Sequence, residues 1–425
     1  MVLDIVNNKG NERVRDKNSW NNFDILFLPL HRKIDSSWGG EFIFPLRLGV
    51  SISKMGGTFK AVCGTIDKNS KVILEGYGNK IIPILKNDRY ITNRSGRTDV
   101  FYDAAFYIKL LFKGKRNISN NTIVHHAFPL GQGRGFNPFF IFDRKIPKVI
   151  GPLLYRADSA LEATNPQAFD INLIGANNKH VPVFSEMYRK TVLNADLIIF
   201  DSNLTREQVI GNIENSSEKD FLILPSCGMN VVKDKKFPEK CNAPDSDLLF
   251  AIITYLVPRK RVDTVLKALK LFPEKNIRID VIGDGPNRQY LEEMAKQLRI
   301  NDRVRFIGAN EHTKVEKVFG RYDAIIHLDQ VPHLVNSTSQ EALAHGVPLI
   351  FSEGSRVKEY IEFPYGWQVD LIDSEVLSGL FTFLSSHGEA LLEKSKNAIR
   401  YAKGNLSYES VGAALLEAYD KLVNS

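Results

Sequence analysis

Two polar residues that could hold a phosphate, Ser337 and Thr338, stand at the predicted start of a helix. The helix follows a continuous apolar run, Ala324–Leu328, which is typical of a parallel strand buried on both faces. In an open parallel sheet, ligands bind at the carboxyl ends of the strands. A helix that begins there offers free N–H groups and a positive dipole end, which suit a phosphate. Glu341, about one turn further on, could accept hydrogen bonds from sugar hydroxyls.

The same residues also fit a purely structural pattern. Thr338 and Glu341 have the spacing of a capping box, and so have Ser337 and Gln340. In this interpretation Glu341 closes the start of the helix and binds no ligand. The local sequence leaves both interpretations open.

A second loop that could approach a ligand follows the first predicted strand, Asp24–Leu30. It contains Gly39 and Gly40 and leads into an apolar helix, Phe42–Lys54. Because glycine has no side chain and tolerates positive φ, such a loop lets the backbone come close to a ligand. The loop does not match G-x-G-x-x-G, so a dinucleotide is not indicated. A plain turn before a helix explains the two glycines equally well.

Strands and helices alternate along both halves of the chain, which predicts an α/β protein with two doubly wound domains. The N-terminal domain is predicted to span residues 1–232, with a polar, disordered start at 1–22. A polar stretch with two prolines, 233–247, is predicted to connect the domains. The C-terminal domain is predicted to span 248–405. The last segment, 406–425, is predicted to be a helix that packs back on the N-terminal domain.

The elements of the N-terminal domain include predicted strands at Lys71–Glu75 and Ile81–Leu85. Another predicted strand, Thr122–Pro129, carries His125 and His126 near its end. At the other end of the chain, Glu389–Asn424 is predicted to be helical throughout.

The bulk composition limits the class of protein. With 425 residues, 43% hydrophobic and 25% charged, the chain can form two or three domains with full cores. A net charge of +7 is compatible with an anionic substrate or an acidic membrane surface, but it does not indicate nucleic acid. Three cysteines without metal-binding spacing favour a reducing cytoplasm. No apolar run is long enough to span a membrane, so any membrane contact is expected to be peripheral.

One segment of the N-terminal domain suggests where such a contact would lie. Asp99–Arg116 is a predicted helix that combines aromatic residues with a basic end. It fits a helix docking at the inner face of the membrane. A core helix with a solvated basic end is the alternative, and the sequence favours it.

The second half of the chain resembles the retaining glycosyltransferases of the GT-B fold, the large family-4 group. Four pieces carry the resemblance, in the same order and spacing: Val257–Leu269, Val281–Ala295, Val304–Gly308 and Ser337–Ser352. The resemblance implies two Rossmann-like domains facing across a cleft. It also implies a UDP- or GDP-linked sugar donor and no cofactor.

The resemblance assigns roles to five residues of the C-terminal domain. Lys260 matches the basic residue that pairs with the donor diphosphate, where a lysine offsets the charge developing on the leaving group. Glu341 matches the second glutamate of the family's pair, which holds the ribose. The N–H groups near Ser337 and Thr338 would cradle the diphosphate. Gly283 belongs to the glycine turn beside the donor.

In the N-terminal domain, the resemblance makes Gly39 and Gly40 the loop that closes over the phosphates. His126, or as a weaker match His125, corresponds to the active-site histidine that faces the donor sugar. The alternative is that one histidine packs in the sheet and the other makes a local hydrogen bond.

Two positions depart from the family pattern. His333 stands where the family has its first glutamate, and Tyr255 stands where the family has an arginine before the lysine. His333 could bind a sugar hydroxyl, or Asp329 could take the place of the glutamate. Arg259 or Arg261 could supply the missing charge. Tyr255, Arg259 and His333 are therefore donor-binding candidates.

The predicted reaction is transfer of a hexosyl or N-acetylhexosaminyl group to a glycan, lipid-linked or cell-surface acceptor. No D-x-D pair stands at a strand end, which favours a metal-independent reaction. Retention of configuration is what the resemblance implies. Two alternatives stay open: an NDP-sugar epimerase of the same fold, and a non-catalytic partner subunit.

Overall fold

The computed structural model describes residues 23–28, 33–34, 44–84, 109, 112–119, 121–127, 142–153, 186–234, 247–274, 276–309, 319–330, 337–352 and 361–424. The chain divides into two compact units. The N-terminal unit comprises the described residues up to Leu153, then Glu186–Met229 and Asn405–Asn424. The C-terminal unit runs from Asn230 to Gly404.

The strands and helices are numbered in chain order. The strands are β1 (Asp24–Phe27), β2 (Lys33–Ile34), β3 (Phe59–Cys63), β4 (Thr65–Ile66), β5 (Lys80–Pro83), β6 (Thr122–His126), β7 (Lys148–Leu153), β8 (Leu197–Phe200), β9 (Asp220–Ile223), β10 (Leu248–Ile253), β11 (Ile277–Ile282), β12 (Val304–Gly308), β13 (Ala324–His327), β14 (Leu349–Phe351), β15 (Ile361–Phe363) and β16 (Gly366–Gln368). The helices are α1 (Phe44–Lys54), α2 (Lys68–Gly76), α3 (Glu186–Leu193), α4 (Asn203–Ile210), α5 (Val262–Leu271), α6 (Arg288–Gln297), α7 (Ser337–Ala344), α8 (Ser374–Ser386), α9 (Gly388–Asn405) and α10 (Tyr408–Asn424).

The N-terminal unit is built on a parallel sheet. Within its described residues, seven strands follow the order β5-β3-β1-β6-β7-β8-β9, and β2 pairs with β4 separately. All neighbouring pairs in the larger sheet are parallel. Apolar side chains cover both faces of this sheet, as expected for parallel strands that connecting helices cover on each side.

Alternation along β6 places its two histidines on opposite faces of the sheet. Ile123, which shares a face with His125, belongs to the core formed with α1 and α10. Val124, which shares a face with His126, belongs to the core formed with α3 and β8. Although they are adjacent in sequence, the two histidines therefore have separate surroundings.

Helix α10 packs against α1 in the N-terminal unit, although it lies at the other end of the chain. A Cβ at Gly412 would lie 2.0 Å from the Ser51 carbonyl oxygen, so only glycine permits this close helix approach. Leu415, Leu416 and Tyr419 of α10 are fully buried in the same core. The C-terminal segment is therefore an integral layer of the N-terminal unit.

The C-terminal unit has a second sheet. In the part of this unit that the structure describes, seven strands follow the order β12-β11-β10-β13-β14-β16-β15. All pairs are parallel except β15 with β16. Phe250 and Phe272 pack against Phe381, with ring centroids 5.8 and 6.1 Å apart. This core lies under α5 and α8 and holds the carboxyl ends of β10, β11, β13 and β14 at one edge.

These two sheets confirm the α/β fold class predicted from the sequence. The predicted strand Lys71–Glu75 is wrong, because these residues lie in α2. Asp67 begins that helix by accepting hydrogen bonds from the Asn69 and Ser70 N–H groups. The continuous C-terminal helix is also wrong, because the chain breaks between α9 and α10. None of the described helices is long and apolar enough to cross a membrane.

Candidate functional site

The loop after β10 and the turn after β11 are joined by main-chain hydrogen bonds. The Leu256 N–H donates to the Asp284 carbonyl over 2.9 Å, and the Asn287 N–H donates to the Leu256 carbonyl over 3.0 Å. Gly283 has a φ of 145°, and a Cβ there would lie 1.8 Å from the Thr254 carbonyl oxygen. Close packing of the two loops therefore explains why glycine occupies position 283. Donor binding by Gly283 stays a prediction.

A cluster of three charged side chains lies at the carboxyl edge of this sheet. Arg259 Nη1 donates to both carboxylate oxygens of Asp329, over 3.0 and 3.1 Å, and the Lys260 ammonium donates to Oδ2. Both cations stand on the 3₁₀ turn Pro258–Lys260, between β10 and α5. Asp329 follows β13, which pairs with β10. The cluster therefore joins the ends of two neighbouring strands.

Main-chain contacts fix the position of Asp329. Its N–H donates to Ser352 Oγ over 3.1 Å, and the Ser352 hydroxyl donates back to the Asp329 carbonyl over 3.3 Å. The Gln330 N–H donates to the Arg259 carbonyl over 3.2 Å. Asp329 is 0% exposed, whereas the side chains of Arg259 and Lys260 are 24% and 11% exposed. In this cluster, the cations and not the carboxylate reach solvent.

The charges of the cluster follow from this arrangement. Burial alone would raise the pKa of Asp329, but the Lys260 ammonium and the Arg259 guanidinium hold it below its ordinary value. The carboxylate is therefore ionised at neutral pH. Among these three side chains, two cations and one anion leave one net positive charge, and His327 at the end of β13 also lowers the pKa of Asp329.

The structure distinguishes the two arginines that the sequence left as alternatives. Arg261 has a left-handed φ of 46°. Its guanidinium donates to Asp263 over 2.8 Å and contacts the Thr264 hydroxyl at 3.4 Å, on the first turn of α5. Only Arg259 of the two joins Lys260. Tyr255, where the family has an arginine, is 64% exposed at the same edge.

Helix α7 begins at the same edge, after β13. Its first residue, Ser337, donates from Oγ to Glu341 Oε1 over 3.0 Å, and the Glu341 side chain is buried. The Glu341 carbonyl accepts from the N–H and from Nδ1 of His345, over 3.1 and 2.7 Å. Ser337 and Thr338 are partly exposed in the first turn, where N–H groups lack helical partners. The Ser337–Glu341 contact has neither of the two predicted capping-box spacings.

His125 uses both ring nitrogens inside the N-terminal unit. Nε2 lies 2.9 Å from the Gly151 carbonyl oxygen, and Nδ1 lies 2.6 Å from the Tyr419 hydroxyl. Because a carbonyl only accepts, Nε2 carries the proton and Nδ1 accepts from Tyr419. Burial lowers the pKa of His125 to about 4, so the ring is neutral. His125 is thus a buried link between β7 and α10.

His126 lies on the other face of the sheet and is 1% exposed. Its Nδ1 donates to the Leu28 carbonyl over 3.3 Å, so the lone pair of the neutral ring is on Nε2. Burial lowers the pKa of His126 to about 3. At neutral pH the imidazole can therefore accept a hydrogen bond but cannot supply a positive charge.

Three candidate residues, Gly39, Gly40 and His333, lie outside the described residues. Sequence reasoning missed Ser352 and Tyr419, since neither belongs to a recognisable motif. Among the described residues, no group of three or more His, Cys, Asp or Glu side chains could hold a metal ion.

The chain matches one family model, Glycosyl transferases group 1, over residues 233–405. It is 30% identical over 133 residues to a subunit of phosphatidylinositol N-acetylglucosaminyltransferase from Arabidopsis thaliana, covering 30% of this chain and 28% of that protein. The matches span less than half the length of the first three curated relatives, at 28%, 46% and 49%.

Solved structures of the same fold extend over nearly the whole chain. Sucrose-phosphate synthase from Thermosynechococcus elongatus has a TM-score of 0.64 at 16% identity, covering 95% of this chain and 99% of that one. The Anabaena protein HepE, in complex with UDP, has a TM-score of 0.59 at 15% identity, covering 94% and 100%. At such identities the likeness establishes the fold, which is that of the GT-B glycosyltransferases.

Proposed function

We propose that this chain, whose residues 233–405 match the family model Glycosyl transferases group 1, transfers a sugar from an NDP-sugar to a glycan or lipid-linked acceptor. The observation that carries the proposal is the cluster of Arg259, Lys260 and Asp329 at the carboxyl edge of the C-terminal sheet. Arg259 and Lys260 reach solvent near the carboxyl end of β13, the strand that precedes α7. A diphosphate is the group that such a pair of cations and a helix N-terminus suit best.

The donor is assigned to the edge of the C-terminal unit. Lys260 and Arg259 would pair with the diphosphate, and the N–H groups of Ser337 and Thr338 would donate to it. Glu341 would bind the ribose through the carboxylate that Ser337 already orients. The HepE structure, which contains UDP, supports a nucleotide diphosphate as the donor's leaving group. The base is either uracil or guanine.

The reaction is proposed to proceed with retention and without a metal ion. Lys260 and Arg259 would offset the negative charge that develops on the leaving diphosphate, which is the role a metal ion has elsewhere. The departing diphosphate would accept the proton of the acceptor hydroxyl on the same face of the sugar. His126 is the residue that the resemblance assigns to the donor sugar, and because its ring is neutral at physiological pH it could act there only through hydrogen bonds and not as a cation.

The acceptor is proposed to be lipid-linked, with the protein at the cytoplasmic face of a membrane. Phe112 is 58% exposed, and Lys113, Lys115 and Arg116 follow it in the same basic segment. Gly114 lies on the inner side of this turn, where a Cβ would be 3.3 Å from Leu28 Cδ2. An exposed aromatic ring among basic side chains fits an anionic lipid surface.

Vesicle flotation tests the membrane contact. The protein should float with phosphatidylcholine vesicles that contain phosphatidylserine, and stay behind when the anionic lipid is omitted. The Phe112→Ser variant should lose most of this binding. Val72→Ser, which removes an apolar side chain that is 63% exposed on α2, is the matched control and should float as the wild type does. Equal flotation of both variants would refute the assignment of this surface.

Calorimetric titration with UDP, GDP and their common sugar conjugates tests the proposed donor. One of the two nucleotides should bind in the micromolar range, and its sugar conjugate should be consumed only when an acceptor is present. Release of an epimerised nucleotide-sugar without acceptor would instead identify an epimerase. Absence of any nucleotide binding would indicate a partner subunit without donor chemistry.

A further inference from the structure

The carboxylate of Asp329 has no role of its own in the proposed donor site, since it is 0% exposed and Arg259 and Lys260 occupy both of its oxygens. It nevertheless contacts both cations that are assigned to the diphosphate. Isolated buried carboxylates are costly, and this one is compensated by two charge-assisted partners. A buried anion thus lies directly behind the proposed phosphate-binding surface.

We infer that Asp329 is a positioning residue that orients Arg259 and Lys260 and lowers their affinity for phosphate, so that the nucleotide product can leave. The inference rests on the proposed function of the same site.

The positioning part follows from the contacts. Arg259 is held at both carboxylate oxygens, and its carbonyl is held by the Gln330 N–H. Asp329 is itself fixed by Ser352 at the end of β14. Both long side chains are thereby ordered before a ligand arrives, which reduces the entropy lost on binding.

The effect on affinity follows from the charges. With Asp329 ionised, the cluster presents one net positive charge to a diphosphate instead of two. The carboxylate lies directly behind the cations, close to where a bound phosphate would be, and this region is only partly solvated. At such short range one unit charge changes the binding constant by at least about tenfold. A site with one anion fewer behind its cations would retain the nucleotide longer after transfer.

The test replaces the carboxylate and measures binding of UDP, GDP and inorganic pyrophosphate. In Asp329→Asn, which keeps the shape of the side chain, the Kd for the bound nucleotide and for pyrophosphate should fall at least about tenfold. The salt dependence of Kd should become steeper, because the binding surface carries one more net charge. Asp329→Ser provides a second, smaller neutral replacement and should shift Kd in the same direction.

Asp263→Asn is the matched control. It removes a carboxylate from the neighbouring Arg261, on the first turn of α5, and so changes the net charge of the protein by the same amount. The Kd of this variant should stay within about twofold of the wild type, because Asp263 contacts Arg261 and Lys267, whereas Asp329 contacts the two cations of the cluster, and because Asp263 is more exposed to screening than Asp329. This control separates the local effect of Asp329 from the overall charge of the chain.

A purely structural role predicts a different result. If Asp329 only supported the turn, both neutral variants would bind pyrophosphate more weakly, or equally, and would melt at lower temperature. Weaker or unchanged pyrophosphate binding in the two neutral variants would overturn the inference. Because pyrophosphate contains neither base nor sugar, this measurement is decisive even when no donor is turned over. Failure of the proposed transferase activity is recognised separately, by the absence of donor consumption in the wild type.

Discussion

The carboxyl edges of the two sheets differ in electrostatic character. In the N-terminal unit, β6 ends in two buried histidines that are neutral and hydrogen-bonded to main-chain carbonyls. In the C-terminal unit, β13 leads to a buried carboxylate that stays ionised between two cations. All three side chains are removed from water. The difference is the presence of an opposite charge.

The two edges show how burial and charge compensation decide the state of a titratable group. Burial lowers the pKa of His125 and His126 to about 4 and about 3, and the Gly151 and Leu28 carbonyls offset only part of this effect. Burial of Asp329 acts toward the neutral form as well, but the two cations reverse it. The buried histidines of the N-terminal unit therefore act through hydrogen bonds, whereas the buried carboxylate of the C-terminal unit acts through its charge.

The largest expected effect that tests this contrast is the response of the two units to acid. A histidine whose folded pKa lies below its unfolded value of about 6.5 adds stability above that pH and loses it as the pH falls through the folded pKa. By about pH 4 each histidine should cost the N-terminal unit about 3 kcal/mol. Asp329, whose pKa is below 3.8, costs the C-terminal unit nothing in this range.

Hydrogen exchange measured by mass spectrometry at about pH 7 and about pH 4.5, corrected for intrinsic rates, can follow both units at once. Peptides from β6 and β7 should lose protection, and peptides from β10 and β11, which contain no histidine, should keep it. His125→Gln cannot be protonated and should remove about half of the pH-dependent loss. Equal losses in both units would contradict the contrast.

The next effect concerns the charged edge alone. Lys260→Ala removes a cation that is proposed to stabilise the leaving diphosphate, and should lower kcat/KM for the donor by at least about 10²-fold. Arg259 still pairs with Asp329 in this variant, so the C-terminal unit should stay folded. Lys267→Ala, which removes an exposed lysine of α5, is the control. Wild-type kinetics in Lys260→Ala would remove Lys260 from the site.

The parts of the fold that could be predicted are those with a local signature. Ala324–Leu328 was predictable as a buried strand because its apolar run is continuous. The strand prediction for Lys71–Glu75 was wrong because the β-branched residues of this segment favour a strand. Asp67, a few residues earlier, instead caps a helix. The capping signal lies just outside the segment, so the composition of Lys71–Glu75 alone did not contain it.

The candidate site divides in the same way. Lys260 and Glu341 could be predicted as candidates because each belongs to a motif with fixed spacing, and their roles stay predictions. The choice between Arg259 and Arg261 could not be made, because it depends on the backbone conformation at position 261, where φ is 46°. The link between His125 and Tyr419 joins residues 294 positions apart. Only the folded chain brings them together.

The smallest expected effect tests whether the link between His125 and Tyr419 stabilises the N-terminal unit. Tyr419→Phe keeps the ring and its burial but removes the hydroxyl that donates to His125 Nδ1 over 2.6 Å. A buried acceptor then loses its donor, which should cost the N-terminal unit about 1–3 kcal/mol of unfolding free energy. Urea denaturation followed by circular dichroism measures this loss.

Tyr408→Phe is the control, since it removes a phenol hydroxyl from the same helix α10 at a residue that is only partly buried. The unfolding free energy of Tyr408→Phe should change by less than about 0.5 kcal/mol.

Tyr419→Phe should also change the response to acid. Without the Tyr419 hydroxyl, no donor competes with a proton for His125 Nδ1, so the ring is protonated more readily. The acid-induced loss of protection in β6 should then begin at a higher pH in Tyr419→Phe than in the wild type. An unchanged acid response would mean that burial by itself keeps His125 neutral, and that α10 contributes packing but no control over the histidine.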